Sequence, residues 1–464
     1  MTRARIGLLP LYLKLYDDCM PERRAEFAPF LNDVAFALEG QGLEVTRGDI
    51  CCVAAEFADA LKGLEGAGVD AIVTVHLAYS PSLESIDALA ASPLPIVILD
   101  TTMDARFGCD VAPDRIMYNH GIHGVMDMAN LLRRRGKRFE IVAGHLSDSA
   151  VPRRTADFVR AGIAVKQFCG GRALRVGTSF EGMGDFAVDQ GILRDRFGIE
   201  VAQCGLAELA QAVESVAAGD VQAEMARDEA RFDCRAPKDV HERSVRVGLG
   251  LRKLLSDGGF GAFSMNFLAF DDPDGLANTV PFLEASKSME RGIGYAGEGD
   301  VLTASLVGAL AAGFDDVTFT EIFCPDWEGN QLFLSHMGEI NPGVLDGTPT
   351  LVQKPFPYAP AQDPAIVTGC VRPGPAVFVD LAPGPEDSFT LIAAPVQVRQ
   401  DTSGDSMPAS VRAWIEPPCP VGRFLEAYSR NGGTHHSALV LGDKQEAVCA
   451  FARAVGLECV VIDG

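Results

Sequence analysis

The chain has 464 residues, and its 40 Lys and Arg against 63 Asp and Glu leave a formal net charge of −23 at pH 7. A surface this acidic repels nucleic-acid phosphates and anionic membranes, and no basic cluster is dense enough to reverse the sign locally. With 47% hydrophobic and 22% charged residues, the composition is that of an ordered globular protein, long enough for about three domains.

In chain order, the run Ile6-Gly7-Leu8-Leu9-Pro10-Leu11-Tyr12-Leu13 after Arg3 and Arg5 imitates a secretory leader. Lys14, Asp17 and Asp18 interrupt it and no small-residue cleavage site follows, so it reads as the first strand of a sheet in a cytoplasmic protein. Apolar, β-branched runs at 5–9, 70–76, 95–99, 139–144, 174–177, 199–202 and 262–267 then alternate with amphipathic stretches at 24–39, 124–135 and 240–255, the pattern of a layered α/β fold. The basic segment 133–138 falls at the polar end of one such stretch. Gly170-Gly171 marks a boundary, where a helical pattern stops and a strand begins.

Past about residue 315 the texture changes to strands at 316–323, 331–338, 376–382, 389–398 and 436–442, with Pro and Gly crowding the connections. A helix near 443–455 and a strand at 459–462 close the chain. The expected fold class is therefore α/β: two doubly wound, Rossmann-like domains at 1–170 and 171–314, then a β-rich C-terminal domain at 315–464. No segment approaches the roughly 18–20 apolar residues of a membrane span. Twelve scattered cysteines without a CxxC pair point to reduced thiols rather than to a disulfide framework or a structural zinc site.

The segment Gly292-Ile293-Gly294-Tyr295-Ala296-Gly297-Glu298-Gly299-Asp300 contains a formal GxGxxG. A dinucleotide site needs a strand ahead of that pattern, whereas 282–291 is polar with a helical period, so the nucleotide reading is set aside. The apolar helical run 301–312 follows, with Asp300 as its natural N-cap. That places Glu298 in a tight loop whose flanking glycines let the backbone approach a ligand.

Farther on, Glu321 ends an alternating apolar segment, His336 lies among apolar residues at 332–339, and His435-His436 opens a strand after Gly432-Gly433. Each has an ordinary structural use: Glu298 as a solvated loop acid, Glu321 as a cap or ion-pair partner, His336 as a core histidine, the His pair as plain loop. Together, Glu298, Glu321, His336 and either His435 or His436 offer carboxylates and imidazoles without a thiolate. Such a donor set suits Mn²⁺, or alternatively Mg²⁺ or Co²⁺, at an octahedral site with positions open to substrate oxygens.

These segments resemble the L-arabinose isomerase family, within the wider group of L-arabinose and L-fucose isomerases. The resemblance rests on Gly297-Glu298-Gly299-Asp300 before a helix, Glu321 after a strand, Ser335-His336-Met337-Gly338-Glu339 and Gly432-Gly433-Thr434-His435-His436, in order and at similar spacing. It extends back through Gly258 to Phe263, Met183 with Phe186-Ala187-Val188, Gly144-His145, His123-Gly124 and His76 with Ser80-Pro81.

The resemblance implies Glu298, Glu321, His336 and His436 as metal ligands and His435 as a substrate-facing histidine. It further implies Met183 and Phe267 as sugar contacts, and a homo-oligomer, trimer or hexamer, in which Tyr12, Tyr79 and His123 reach a neighbour's site. The reaction implied is aldose–ketose interconversion by proton transfer through a cis-enediolate, with Glu298 and Glu321 as base and acid. A hydride shift is the competing mechanism, and a non-catalytic sugar-binding or regulatory protein on the same fold is the competing function. Leu9-Pro10-Leu11-Tyr12 stands where the family has a polar Gln-His-Leu-Tyr turn, so a tetrose, another pentose, a deoxyhexose or a modified sugar are also candidate substrates.

Overall fold

The computed structural model describes residues 3–402 and 406–464, and the chain divides into two compact units, Met1–Ile163 and Ala164–Gly464. In the first, strands β1 (Arg5–Leu11), β2 (Glu44–Arg47), β3 (Ala71–His76), β4 (Ile96–Asp100) and β5 (Glu140–Ala143) form one parallel sheet in the order β2-β1-β3-β4-β5. β3 is buried along its whole length, as expected of a parallel strand with helices on both faces. The helix expected over 24–39 begins as a 3-10 turn, Pro21–Phe27, and becomes α-helical only at Ala28–Glu39, where Pro29 occupies a first-turn position that needs no N–H.

The second unit carries a four-stranded parallel sheet in the order β10-β9-β6-β7, made of β6 (Arg172–Val176), β7 (Glu200–Cys204), β9 (Ala262–Met265) and β10 (Gly294–Gly297). The short strand β8 (Asp233–Cys234) leaves this region to join the larger sheet. That sheet continues through β11 (Val317–Asp326), β12 (Gln331–Ser335), β13 (Thr350–Gln353), β14 (Ala365–Cys370), β15 (Gly374–Pro383), β16 (Phe389–Val398), β17 (Val411–Glu416), β18 (His436–Leu441) and β19 (Glu458–Val461), in the order β19-β16-β15-β18-β11-β12-β17-β14-β13-β8. A further pairing of β16 with β17 closes β16-β15-β18-β11-β12-β17 into an antiparallel ring, so the C-terminal part is a barrel with extra strands at its edges.

Two elements place the candidate ligands. The helix Val301–Gly313 is apolar on every face and almost wholly buried, so it is a core helix whose N-terminus is held at the end of β10. In the barrel, β11 lies between β18 and β12, and its register sets Glu321 opposite His436 on one side and Ser335 on the other. A slip of one residue would turn Glu321 to the other face. The strand expected over 331–338 ends at Ser335, which leaves His336 on the irregular segment beyond it.

Candidate metal centre

Glu298, His336 and His436 converge at the carboxyl end of β10, with one donor atom from each within 4.8 Å of the others. All three are buried, at 4%, 4% and 0% exposure, so Glu298 is not a solvated loop acid. Glu298 has φ 54°, a left-handed conformation rarely adopted by a non-glycine residue, and the neighbouring Gly299 has φ 84°. The Glu298 carboxylate faces the Nε2 atoms of His336 and His436. A Cβ on Gly297 would lie 2.8 Å from the His336 ring, so only glycine admits the imidazole there. Glu321 completes the group, its Oε2 lying 3.9 Å from His336 Nε2.

Each histidine is oriented from behind by a second carboxylate. His336 Nδ1 lies 2.8 Å from Glu339 Oε2, and His436 Nδ1 lies 3.0 Å from Asp300 Oδ2. Asp300 serves twice, because its Oδ1 accepts from the Thr303 N–H at 2.9 Å and caps the buried helix, as expected. Tyr295 donates its hydroxyl to the other oxygen of Glu339 at 2.6 Å. Both Nε2 atoms are thereby turned to the centre, the arrangement in which carboxylates fix a ligating imidazole. Phe319, two residues before Glu321 on β11, packs edge-on against both rings at 4.7 and 5.0 Å.

Glu298 Oε2 and His436 Nε2 face each other at 3.1 Å as an ion pair, yet both are buried and neither makes a hydrogen bond of good geometry. Unpartnered buried polar atoms of this kind cost free energy unless something else satisfies them. Desolvation alone would raise the Glu298 pKa, but His336 and His436 outweigh it and hold the carboxyl below its usual range. Desolvation would likewise lower the histidines, yet their carboxylate neighbours raise His336 well above the ordinary value and His436 to about 9. The surrounding carboxylates thus favour positive charge at this corner. Glu321 differs: partial burial raises its carboxyl pKa despite the nearby imidazoles.

The cluster of Glu298, His336 and His436, one carboxylate and two imidazoles with no thiolate and with two orphaned donor atoms, therefore fits a divalent ion, and Glu321 lies beside it. Among the described residues it is the one such cluster.

The other candidates fall in different places. His435 packs against His436 with ring centroids 4.4 Å apart and is about one-third exposed. Met183 is half-buried in the loop after β6. Phe267, just past β9, meets Phe180 at 5.7 Å, and the Phe180 N–H bonds the Glu298 carbonyl at 2.8 Å, so Phe267 is joined to the Glu298 loop through Phe180. Tyr12, Tyr79 and His123 lie in the Met1–Ile163 unit. Tyr12 is 1% exposed between Tyr16 and Phe27, with no face open to a ligand. Tyr79 is half-buried and donates to Asp127 at 3.4 Å, while His123 is exposed beside His120.

Sequence reasoning misses the role of Glu339 and Asp300 in orienting the ligands, and it misses Asp185, Phe186 as a packing residue, and Asp380. Glu339 follows His336 by three residues, a spacing that could have pointed to it. Asp380, fully buried with its carboxyl pushed up to about 7 by that burial, accepts from the Thr434 N–H and hydroxyl at 3.0 and 2.8 Å. It anchors the turn that carries the two histidines, and no local pattern announces it.

Residues 174–313 match the model of the L-arabinose isomerase central domain, and residues 316–458 that of the L-arabinose isomerase C-terminal domain. The chain is 29% identical over 410 residues to an L-arabinose isomerase of a Nocardioides species, an overlap spanning 85% of this chain and 80% of that protein. It is 27% identical over 431 residues to the Escherichia coli L-arabinose isomerase, spanning 89% and 83%. With the Geobacillus kaustophilus L-arabinose isomerase it shares 28% identity over 411 residues, 84% and 80% of the two chains.

Proposed function

The chain belongs to the L-arabinose isomerase family and is an aldose–ketose sugar isomerase, and from that premise we propose that Glu298, Glu321, His336 and His436 hold a divalent metal ion, Mn²⁺ in preference to Mg²⁺ or Co²⁺. The observation that carries this reading is the buried set of converging donors, with each imidazole backed by a carboxylate and two donor atoms left unpartnered. The non-catalytic sugar-binding reading is set aside, because the relatives are isomerases along most of their length.

The reaction moves a proton from C2 of the aldose to C1 and a hydroxyl proton from O2 to O1. When bound, the ion supplies polarisation of the carbonyl and stabilises negative charge on the neighbouring oxygens. Glu298, ionised and buried, serves as ligand and keeps the local field negative. Glu321, less buried and with a raised pKa, is suited to take the C2 proton and return it to C1 on the same face, through a cis-enediolate. His435, beside them and partly exposed, faces the sugar and handles a hydroxyl proton. Met183 and Phe267 supply apolar contact. The enzyme is read as a homo-oligomer, trimer or hexamer, in which Tyr79 and His123 reach a neighbour's site. A reducing, cytoplasmic setting accords with twelve scattered cysteines that form no CxxC pair.

The protein, loaded with Mn²⁺, is assayed for ketose formation from L-arabinose and from a panel of other pentoses, tetroses and deoxyhexoses. Glu298→Gln and Glu321→Gln should each lower kcat by at least about 10²–10⁴-fold with the fold intact by circular dichroism. Near-normal turnover in both variants would sink the assignment. In deuterated water, exchange of the proton held on Glu321 with solvent should place deuterium at C1 of the ketose, and its complete absence would overturn the enediolate route.

A further inference from the structure

The loop between β6 and the helix Gln190–Phe197 is tied to the site at three points. Phe180 donates its N–H to the Glu298 carbonyl, and Phe186 lies flat on His436 with ring centroids 4.8 Å apart and planes 9° from parallel. The third tie is polar. One carboxylate oxygen of Asp185, Oδ2, accepts the main-chain N–H of His435 at 2.9 Å and lies 2.6 Å from that residue's Nδ1. Since the carboxylate can only accept, Nδ1 must carry the proton, and the neutral ring then presents Nε2 as a lone pair. A single oxygen thus fixes both the backbone and the tautomer of His435. Phe186 and His436 press on the ring at centroid distances of 5.3 and 4.4 Å, so the imidazole has little freedom to flip.

We propose that Asp185 is a positioning residue for the isomerase reaction: it holds His435 as the Nδ1–H tautomer so that Nε2 accepts a hydrogen bond from a sugar hydroxyl. This rests on the reading of His435 as the substrate-facing histidine. Without Asp185 the ring loses the acceptor behind it, and the commoner Nε2–H tautomer turns a donor toward the same hydroxyl. Metal binding does not depend on Asp185, because His436 has its own carboxylate, Asp300, on the other side.

Three measurements on Asp185→Ala and Asp185→Asn test this. The first is kcat and KM for whichever aldose the wild type converts. The second is Mn²⁺ affinity by calorimetry, and the third is the ¹⁵N signature of His435 in metal-free protein. For Asp185→Ala we expect kcat to fall about 10–10²-fold with KM within a few-fold, as for a lost orienting group, and unchanged Mn²⁺ affinity. The His435 resonances should move to the Nε2–H tautomer. Asp185→Asn, which can leave an amide oxygen where Oδ2 stood, should recover most of kcat and the Nδ1–H signature. Unchanged kcat in Asp185→Ala, an unchanged tautomer, or a loss of Mn²⁺ affinity in parallel with kcat would each overturn the proposal. If the wild type converts no aldose in the panel, the functional reading of His435 fails, while the tautomer and Mn²⁺ measurements still decide whether Asp185 holds the ring.

Discussion

Four carboxylates and two imidazoles crowd one buried corner, and the division of labour among the acids is set by which ring nitrogen each faces. Glu298 and Glu321 look at Nε2 atoms, whereas Glu339 and Asp300 hold the Nδ1 atoms from behind. Glu339→Gln should therefore weaken Mn²⁺ binding about 10–100-fold with no ligand removed, read by calorimetry; unchanged affinity would show that Glu339 is only a packing residue. A pH dependence arises from the same contacts. The carboxylates raise His436 to about 9 in the metal-free chain and raise His336 as well, so at pH 7 both rings hold protons that a ligand position cannot accommodate. Metal binding then releases protons, and affinity must fall as pH falls. Calorimetry in buffers of different ionisation enthalpy should register that release, and an affinity flat between pH 6 and 8 would contradict it. At this scale the sequence is informative where chemistry is local: Glu298 between glycines, or the adjacent His435 and His436. It is silent on Asp185, because that residue meets His435 across 250 residues of chain.

Strands long enough to show alternation are legible in the sequence, and β16 has the limits its pattern predicts, Phe389–Val398. β10 is not, since Gly294–Gly297 is half glycine and becomes a strand only because β9 pairs with it. β13, β14 and β17 escape for a related reason: they sit among Pro- and Gly-rich connections and owe their extended form to neighbours in the sheet. Charge within helices is similarly opaque until tertiary partners appear. Lys287, on the buried helix Phe282–Glu290, bonds Asp228 at 2.6 Å and pairs with Glu224, both from Ala218–Arg231, while Arg252 of Lys238–Gly258 binds Glu284 through two nitrogens at 2.9 and 2.8 Å. This network ties together three helices of the Ala164–Gly464 unit. Lys287→Met should cost about 3–5 kcal/mol, because Glu224 and Asp228 would be left buried with one cation fewer. A thermal or urea midpoint within error of wild type would show that the network relaxes around the gap. Desolvation opposes ionisation of Glu224, but Arg252 and Lys287 depress its pKa, so its contribution is fully present above the unfolded value of about 4.3 and is lost as pH falls below it.

All four proposed ligands lie in Ala164–Gly464, whereas Tyr79 and His123 lie in Met1–Ile163. The two kinds of residue can therefore be separated by ligand. A metal ion at 100 times its Kd stabilises the state that binds it by about 2.7 kcal/mol, and that stabilisation belongs to the unit that supplies the donors. Hydrogen exchange read by mass spectrometry should accordingly show Mn²⁺ alone slowing exchange in peptides around 294–300, 319–339 and 433–439, with peptides from 1–163 unaffected. A non-isomerisable pentitol added on top should then slow exchange in peptides that carry Tyr79 and His123, since a neighbouring copy would bring them to the sugar and not to the metal. Tyr12, already sealed between Tyr16 and Phe27, should not respond to either. Protection of 1–163 by metal alone would mean that the N-terminal unit contributes to the metal centre. Absence of any pentitol effect at Tyr79 and His123, under conditions where the pentitol demonstrably binds, would mean that each copy works with a site of its own.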